Sequence, residues 1–324
     1  MPIAVEAWGP DYGGELDAGP MQASDDPPDT SCEGRPWEPV SPSGAPVAER
    51  DVAFVDGTRR MDARVFLFEA GEPPTPGVAG SVGVGAVVCA LPNGGRAVAA
   101  AECVSLSVDR CLVLGNGRRL SLSAGPGLEF AAVPHPSDDL EQLAAAVHER
   151  MRQREAALAH ELASNGRLVF LDGPLAKMRP GPVRVVAYVK SHNRRYLAPD
   201  EETILGRLRR GQRTPLFSFG EPRPRYSWYV RLCELGGGDH GWHGLVRCEC
   251  PAALSLDGAV ELADASAALL PRFASAPYWD PRAPQNLVPV AGLERRLRHL
   301  LGDRHLVDRM IRSAAARLGR EGAA

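Results

Sequence analysis

Asp56 and Asp172 each close an apolar run, "VAFVDG" and "LVFLDG", in the same pattern of aromatic, aliphatic, Asp, Gly, 116 residues apart. Four apolar residues in a row describe a strand covered on both faces, which need not alternate. An ionised carboxylate at the edge of such a core loses solvation unless a metal, a cation or hydrogen bonds compensate it. Asp-Gly is also a common exit from a strand into a turn, and either pair taken alone is explained that way. Two alike strand ends suggest more. If the strands lie side by side, their carboxylates share one spot and repel unless they bind a cation.

A third acid comes from a helix. "SDDLEQLAAAVHERMRQREAALAHELA" begins at Ser137 as cap, with acids in its first turn, and stops near Asn165-Gly166. Its apolar stripe runs through Leu140, Leu143, Val147, Met151, Leu158 and Leu162. At about 100° per residue, Glu155 falls beside that stripe rather than on the solvated face. Arg154 lies toward the other edge, so a salt-bridged margin is the alternative explanation. The helix leads directly into the Asp172 strand and must pack on its sheet, where a stripe-edge acid can meet a strand-end acid. Oxygen ligands of this kind suit hard divalent cations, Mg²⁺ or Mn²⁺, which activate water and neutralise phosphate oxygens.

The remaining elements frame these three acids. Residues 1–48 hold nine Pro and six Gly with little periodicity, an irregular arm that Trp8 and Trp37 could pin to the body. The stretch 51–71 is expected to be strand, turn, strand. Several short strands follow over 80–133, with "LPNGGRA" and "LGNGRRL" offering Asn-Gly hairpin turns. After the Asp172 strand come a strand at 182–191, a short basic helix at 200–211, and the strands "SWYVRLCEL" and "HGLVRCECP". Helices at about 256–273 and 291–318 close an α/β or α+β sheet covered by helices.

Composition narrows the class. The seven cysteines contain no C-x-x-C pair, which argues for reduced thiols and against a disulfide framework or zinc finger. No basic-then-apolar leader opens the chain, and no 18-residue window is apolar enough to span a bilayer, so a soluble cytoplasmic protein is expected. The net charge of −3 conceals an acidic arm. Residues 1–50 hold ten Asp or Glu and two arginines, leaving 35 basic and 30 acidic groups in a mildly basic body. Arg194, Arg195, Arg207, Arg209, Arg210 and Arg213 could line a path for a polyanion, with Tyr196, Trp228 and Tyr229 available to stack bases; a solvated helix face is the plainer reading. No G-x-x-x-x-G-K-[ST] loop is present, so nucleotide hydrolysis is not expected of this chain.

The motifs "FVDGTRRMDARV", "REAALAHEL" before "LVFLDGPL", "AYVKSHNRRYL" and "VRCECP" occur in an order that resembles the NurA nucleases over roughly residues 50–300. The resemblance implies a nuclease domain over 49–324 with a ribonuclease H-like core, a mixed sheet flanked by helices; the β-rich stretch at about 80–133 is an insertion beyond what the family's minimal pattern needs. It implies Mn²⁺- or Mg²⁺-dependent cleavage of DNA in end resection, a homodimer, and a HerA-type hexameric ATPase as partner in the nucleoid. Carried onto this chain, Asp56, Glu155 and Asp172 match the family's acids. Lys190 matches a basic position suited to a phosphate contact, or else is an exposed strand-end lysine. The histidine expected near the C-terminus is replaced, at the matching position, by Gly292. Asn286 and Glu294 are the neighbours that could supply the missing ligand, or could simply cap a helix. Two other functions stay open: a non-catalytic DNA clamp or adaptor for the ATPase, and a ribonuclease on the same fold.

Overall fold

The computed structural model describes residues 22–23, 28–42, 51–69, 71–91, 98–175, 177–178, 181–192, 194–220, 224–236 and 241–321. Trp8 and residues 92–97, which hold the expected Asn93-Gly94 turn, lie outside them. In chain order the main elements are β1 (Asp51–Leu67), β2 (Thr75–Ala90), β3 (Ala100–Leu114), β4 (Leu122–Ser123), β5 (Glu129–Pro134) and α1 (Leu140–Ser164). Then follow β6 (Leu168–Asp172), β7 (Val185–Val189), β8 (Phe217–Phe219), β9 (Arg225–Arg231), β10 (Leu245–Pro251), α2 (Leu256–Phe273), α3 (Val288–Leu300) and α4 (Arg304–Glu321). The result is a mixed α/β protein with a large mixed sheet. No helix among the described residues is long and apolar enough to cross a membrane.

The chain forms two compact units: Met1–Val55 with Val87–Glu102 and Ala159–Gly292, and Asp56–Ala86 with Cys103–Leu158 and Leu293–Ala324. In the first, the strand order is β8-β9-β10-β7-β6, followed by the start of β1. β1 pairs with β6 and β6 with β7 in parallel, while β10 runs antiparallel to β7. Parallel strands are covered on both faces, and β7 and β10 are buried at every position. The repeated sequence pattern has a packing cause. Phe54 stands opposite Phe170 in the register, the rings stack at 5.3 Å, and Phe273 of α2 meets Phe54 edge-on at 4.7 Å. Ser255 caps α2 by accepting from the Gly258 amide at 3.2 Å. Cys248 and Cys250 are buried on β10, and burial pushes both thiols up, as inert core cysteines require.

In the second unit β1 continues through Gly57 to Leu67 without the expected turn, so 51–71 is mostly one long strand. The reason lies in the helix above it. A Cβ at Gly57 would come 2.5 Å from Glu155 Oε1 and 2.8 Å from Met151 Cγ, so this glycine admits a close helix and does not bend the chain. The stretch 80–133 is likewise mainly two long strands, β2 and β3, with β4 and β5 short. Asn116 and Gly117 do make a tight turn at φ 52° and 70°, but no hairpin results: β3 pairs in parallel with β5, which pairs antiparallel with β4. The cap of α1 falls two residues later than the Ser137 expected. Asp139 Oδ1 accepts from the amides of Glu141 at 2.7 Å and Gln142 at 3.1 Å, while Ser137 Oγ accepts from Asp139 itself. A carboxylate there also complements the helix dipole better than a hydroxyl.

Candidate active site

In the first unit a polar chain starts at Asp172. Lys190 Nζ donates to Asp172 Oδ2 at 2.5 Å and to Asn286 Oδ1 at 3.0 Å, and Asn286 Nδ2 donates to Asp280 Oδ2 at 2.6 Å. Lys190 is therefore no exposed strand-end lysine: its side chain is 7% exposed and that of Asp172 13%. Although burial opposes its charge, Arg282 and Asn286 hold the Asp280 carboxyl down at about 2. Asn286, expected as a metal ligand, is fully buried with its oxygen facing Lys190. Gly292, at the position expected for a histidine, has nothing within 4 Å of where a Cβ would stand.

The loop that follows Asp172 is anchored from β10. Gly173 takes φ +95°, which favours glycine, and its amide donates to Tyr188 O at 3.0 Å. Two residues on, the Leu175 amide donates to Glu249 Oε2 at 3.0 Å. Glu249 is buried, and although desolvation opposes its charge, Arg247 and Arg225 hold its carboxyl below the usual range. In the sequence Glu249 stands between Cys248 and Cys250 in "VRCECP". A charged residue inside an apolar strand was the available signal that it had a buried partner.

The second unit holds Asp56, Glu155 and Glu294. In the β1/β6 register Val55 stands opposite Leu171, and the next residue of each strand is an aspartate. Asp56 is 7% exposed and Glu155 6%, and the charge of Glu155 acts on the Arg59 guanidinium. Glu294 is 9% exposed, with Arg298 one turn on at 3.6 Å. Its helix, α3, lies along β2, since a Cβ at Gly83 would stand 3.5 Å from Leu297 and one at Gly85 3.4 Å from Leu293. The C-terminal end of α3 is tied to the sheet by Arg60, which donates to Asp62 Oδ1 at 2.6 Å, Gly302 O at 2.6 Å and Leu301 O at 3.1 Å. Arg110 adds a bond to Leu301 O at 3.1 Å and another to Ser81, which in turn donates to Asp62.

Gly57 gives a direct test of the Glu155 position. Gly57→Ala puts a methyl group into the contact with Glu155 and Met151, and the expected cost is about 1–3 kcal/mol of stability from overpacking. Urea unfolding measures it. A variant as stable as the parent would show that α1 does not press on β1 at this point.

The proposed strand path needs correction. Arg194, Arg195, Arg207, Arg209 and Arg210 are exposed, with Arg195 bonded to Glu202 and Arg210 Nη2 donating to Pro271 O at 3.0 Å. Arg213 is fully buried, donating to Glu33 at 2.9 Å twice and to Asp264 at 2.6 Å. It is a structural ion pair and reaches no polyanion. Trp228 and Tyr229 are core residues, and Trp228 Nε1 donates to Ser266 at 2.9 Å. Tyr196 is half-buried beneath Arg247, whose guanidinium carbon stands 4.5 Å from the ring centroid. Trp37 pins the arm as expected, donating to Glu201 O at 2.9 Å.

A family model described as the NurA domain matches residues 50–290. No curated protein sequence matches the chain. Among solved structures, the NurA nuclease from Sulfolobus solfataricus is similar at 11% identity and a TM-score of 0.45, over 90% of each chain. The catalytic domain of human Endonuclease V is similar at 15% identity and a TM-score of 0.30, over 85% of this chain and 91% of that one.

Proposed function

Because the chain belongs to the NurA family, we propose that it is a divalent-metal-dependent DNA nuclease acting in end resection, as a homodimer, with a HerA-type hexameric ATPase in the nucleoid. The observation that carries this reading is the parallel register that leads both β1 and β6 into an aspartate. We assign the metal to Asp56, Asp172 and Glu294, each of which offers a carboxylate oxygen, with Glu155 completing the acidic set. An all-oxygen donor set fits Mg²⁺ or Mn²⁺ and not a soft metal. Such an ion, when bound, supplies Lewis-acid stabilisation of phosphate oxygens and activation of water.

The chain's own groups do the rest. Lys190 holds Asp172 Oδ2 in place, and its ammonium would serve as a cation for the scissile phosphate. Asn286 orients that lysine, a positioning role in place of the ligand role read from the sequence. The exposed Arg194, Arg195, Arg209 and Arg210, with Tyr196 at their edge, supply contacts to the strand. A ribonuclease H-like core is consistent with β1 and β6 paired in parallel at the heart of the sheet.

The test is cleavage of labelled single- and double-stranded DNA and of RNA by purified protein with Mn²⁺, Mg²⁺ or EDTA. Cleavage of DNA in either metal and none in EDTA is expected. DNA binding without cleavage in any metal would assign the protein to the adaptor class instead, and preference for RNA to the ribonuclease class.

A further inference from the structure

On the face of β1 that meets α1 lies a group of cations that none of the assigned roles uses. Side chains alternate along a strand, so Arg59 points to the same side as Gly57, over which Met151 and Glu155 of α1 are packed. Thr58 points the other way, where its methyl, Leu297 of α3 and Leu301 are the neighbours of Gly83. One turn before Met151 and Glu155 on α1 stand His148 and Arg152, which project from the same side of the helix. Arg152 Nε donates to His148 Nε2 at 3.3 Å. That bond requires a neutral imidazole with its proton on Nδ1, and it fixes the guanidinium so that the two terminal nitrogens stay free to donate.

The electrostatics agree with this geometry. Arg59 keeps an exposed side chain, yet partial desolvation against α1, and then the charge of Arg152, push its guanidinium down, with Glu155 as the carboxylate that offsets them. Burial, with Arg59 and Arg152, also lowers His148 to about 4, so the ring is neutral at neutral pH. Two guanidiniums close enough to oppose each other's charge concentrate positive potential at one place, which favours an anion with several acceptor oxygens.

We propose that Arg59 and Arg152, with His148 as the residue that positions Arg152, form a phosphate-binding cradle that holds a backbone phosphate of the substrate strand beside Glu155. This assignment rests on the reading of Glu155 as an active-site acid. Arginine matches phosphate through paired N–H donors, and the cradle offers two such forks three residues beyond Asp56 in β1 and three before Glu155 in α1.

The experiment is fluorescence anisotropy of a labelled oligo-dT in EDTA, titrated over a range of NaCl, so that binding is read without cleavage. Arg59→Gln and Arg152→Gln should each weaken binding and lower the salt slope by about 0.7, and the double variant by about twice that. Inorganic phosphate should compete with the oligonucleotide for the parent and less for the double variant. His148→Ala should weaken binding only while Arg152 is present, and His148→Gln, whose amide oxygen can still accept from Arg152, should restore it. Should a glutamine variant fold poorly, Arg59→Lys and Arg152→Lys keep the charge, and should preserve the slope while losing affinity. An unchanged slope in the double variant, or a parent that does not bind the oligonucleotide, overturns the cradle. A parent that binds through these arginines yet cleaves in no metal leaves the cradle standing and removes the nuclease reading, so the two failures are distinct.

Discussion

Asp172→Asn should lower single-turnover DNA cleavage by about 10²–10³-fold or more while leaving the protein folded and able to bind DNA. The substitution is nearly isosteric and keeps an oxygen that can accept from Lys190, and Lys190 also keeps its bond to Asn286 at 3.0 Å. What disappears is the negative charge. An amide binds Mg²⁺ or Mn²⁺ far less well than a carboxylate, and the lysine, whose side chain is 7% exposed, loses the carboxylate charge 2.5 Å from it. The expected signature is a fall in turnover with little change in oligonucleotide affinity and partial recovery at high Mn²⁺. Asp56→Asn should behave in the same way, because the parallel register leads both strands into an aspartate. If both variants cleave within about tenfold of the parent, these aspartates are not the catalytic acids and the active site must be sought elsewhere in the chain.

The largest expected loss of stability comes from a residue outside the site. Arg213→Met should cost about 3–5 kcal/mol, since removing one partner of a buried ion pair strands the other charges. Arg213 sits in the interior with all of its bonds to protein: two at 2.9 Å to Glu33, one at 2.6 Å to Asp264 and one at 3.0 Å to its neighbour's carbonyl at Thr214. Glu33 is equally committed, since it also accepts from the Leu216 amide at 2.6 Å. Desolvation opposes the Glu33 charge, but Arg213 and Leu216 together hold its carboxyl below the usual range. A depressed carboxylate stabilises the fold above its unfolded pKa, and that contribution is lost as pH falls through the lower folded value. In the variant the same carboxylate has lost its main stabiliser, so the gap between parent and variant should shrink toward acid. Urea unfolding at neutral and acidic pH measures both effects. Deleting residues 1–42, which removes Glu33 and Trp37, should destabilise in the same direction. A variant within about 1 kcal/mol of the parent would mean that the triad is no better than a surface pair.

The acids and the elements that carry them were legible in the sequence because burial and backbone geometry leave local marks. Unalternated apolar runs ended in Asp56 and Asp172, and both are edge-of-core acids. A helical stripe at period 3.6 placed Glu155 next to the apolar face, and it is buried. Gly166, at φ +85°, ends α1 where Asn165-Gly166 said it would. The two Asp-Gly pairs, however, were identical as text and differ in space. Gly173 turns the chain with a positive φ, whereas Gly57 stays in a strand and makes room for Glu155.

What only the tertiary structure decided was the partner of each charge. Arg213 belonged to a run of arginines that looked like one solvated face, until a segment 180 residues earlier brought Glu33 to it. Lys190 could be read as a phosphate contact or as an ordinary strand end until Asn286, 96 residues later, closed over it. Arg59, His148 and Arg152 carried no shared motif, being distributed over a strand and a helix. Periodicity records which side of an element is buried, a property each residue shares with its near neighbours in the chain. The fate of a charge depends on which distant group reaches within a few ångströms of it, and that distance is set by the packing of whole elements.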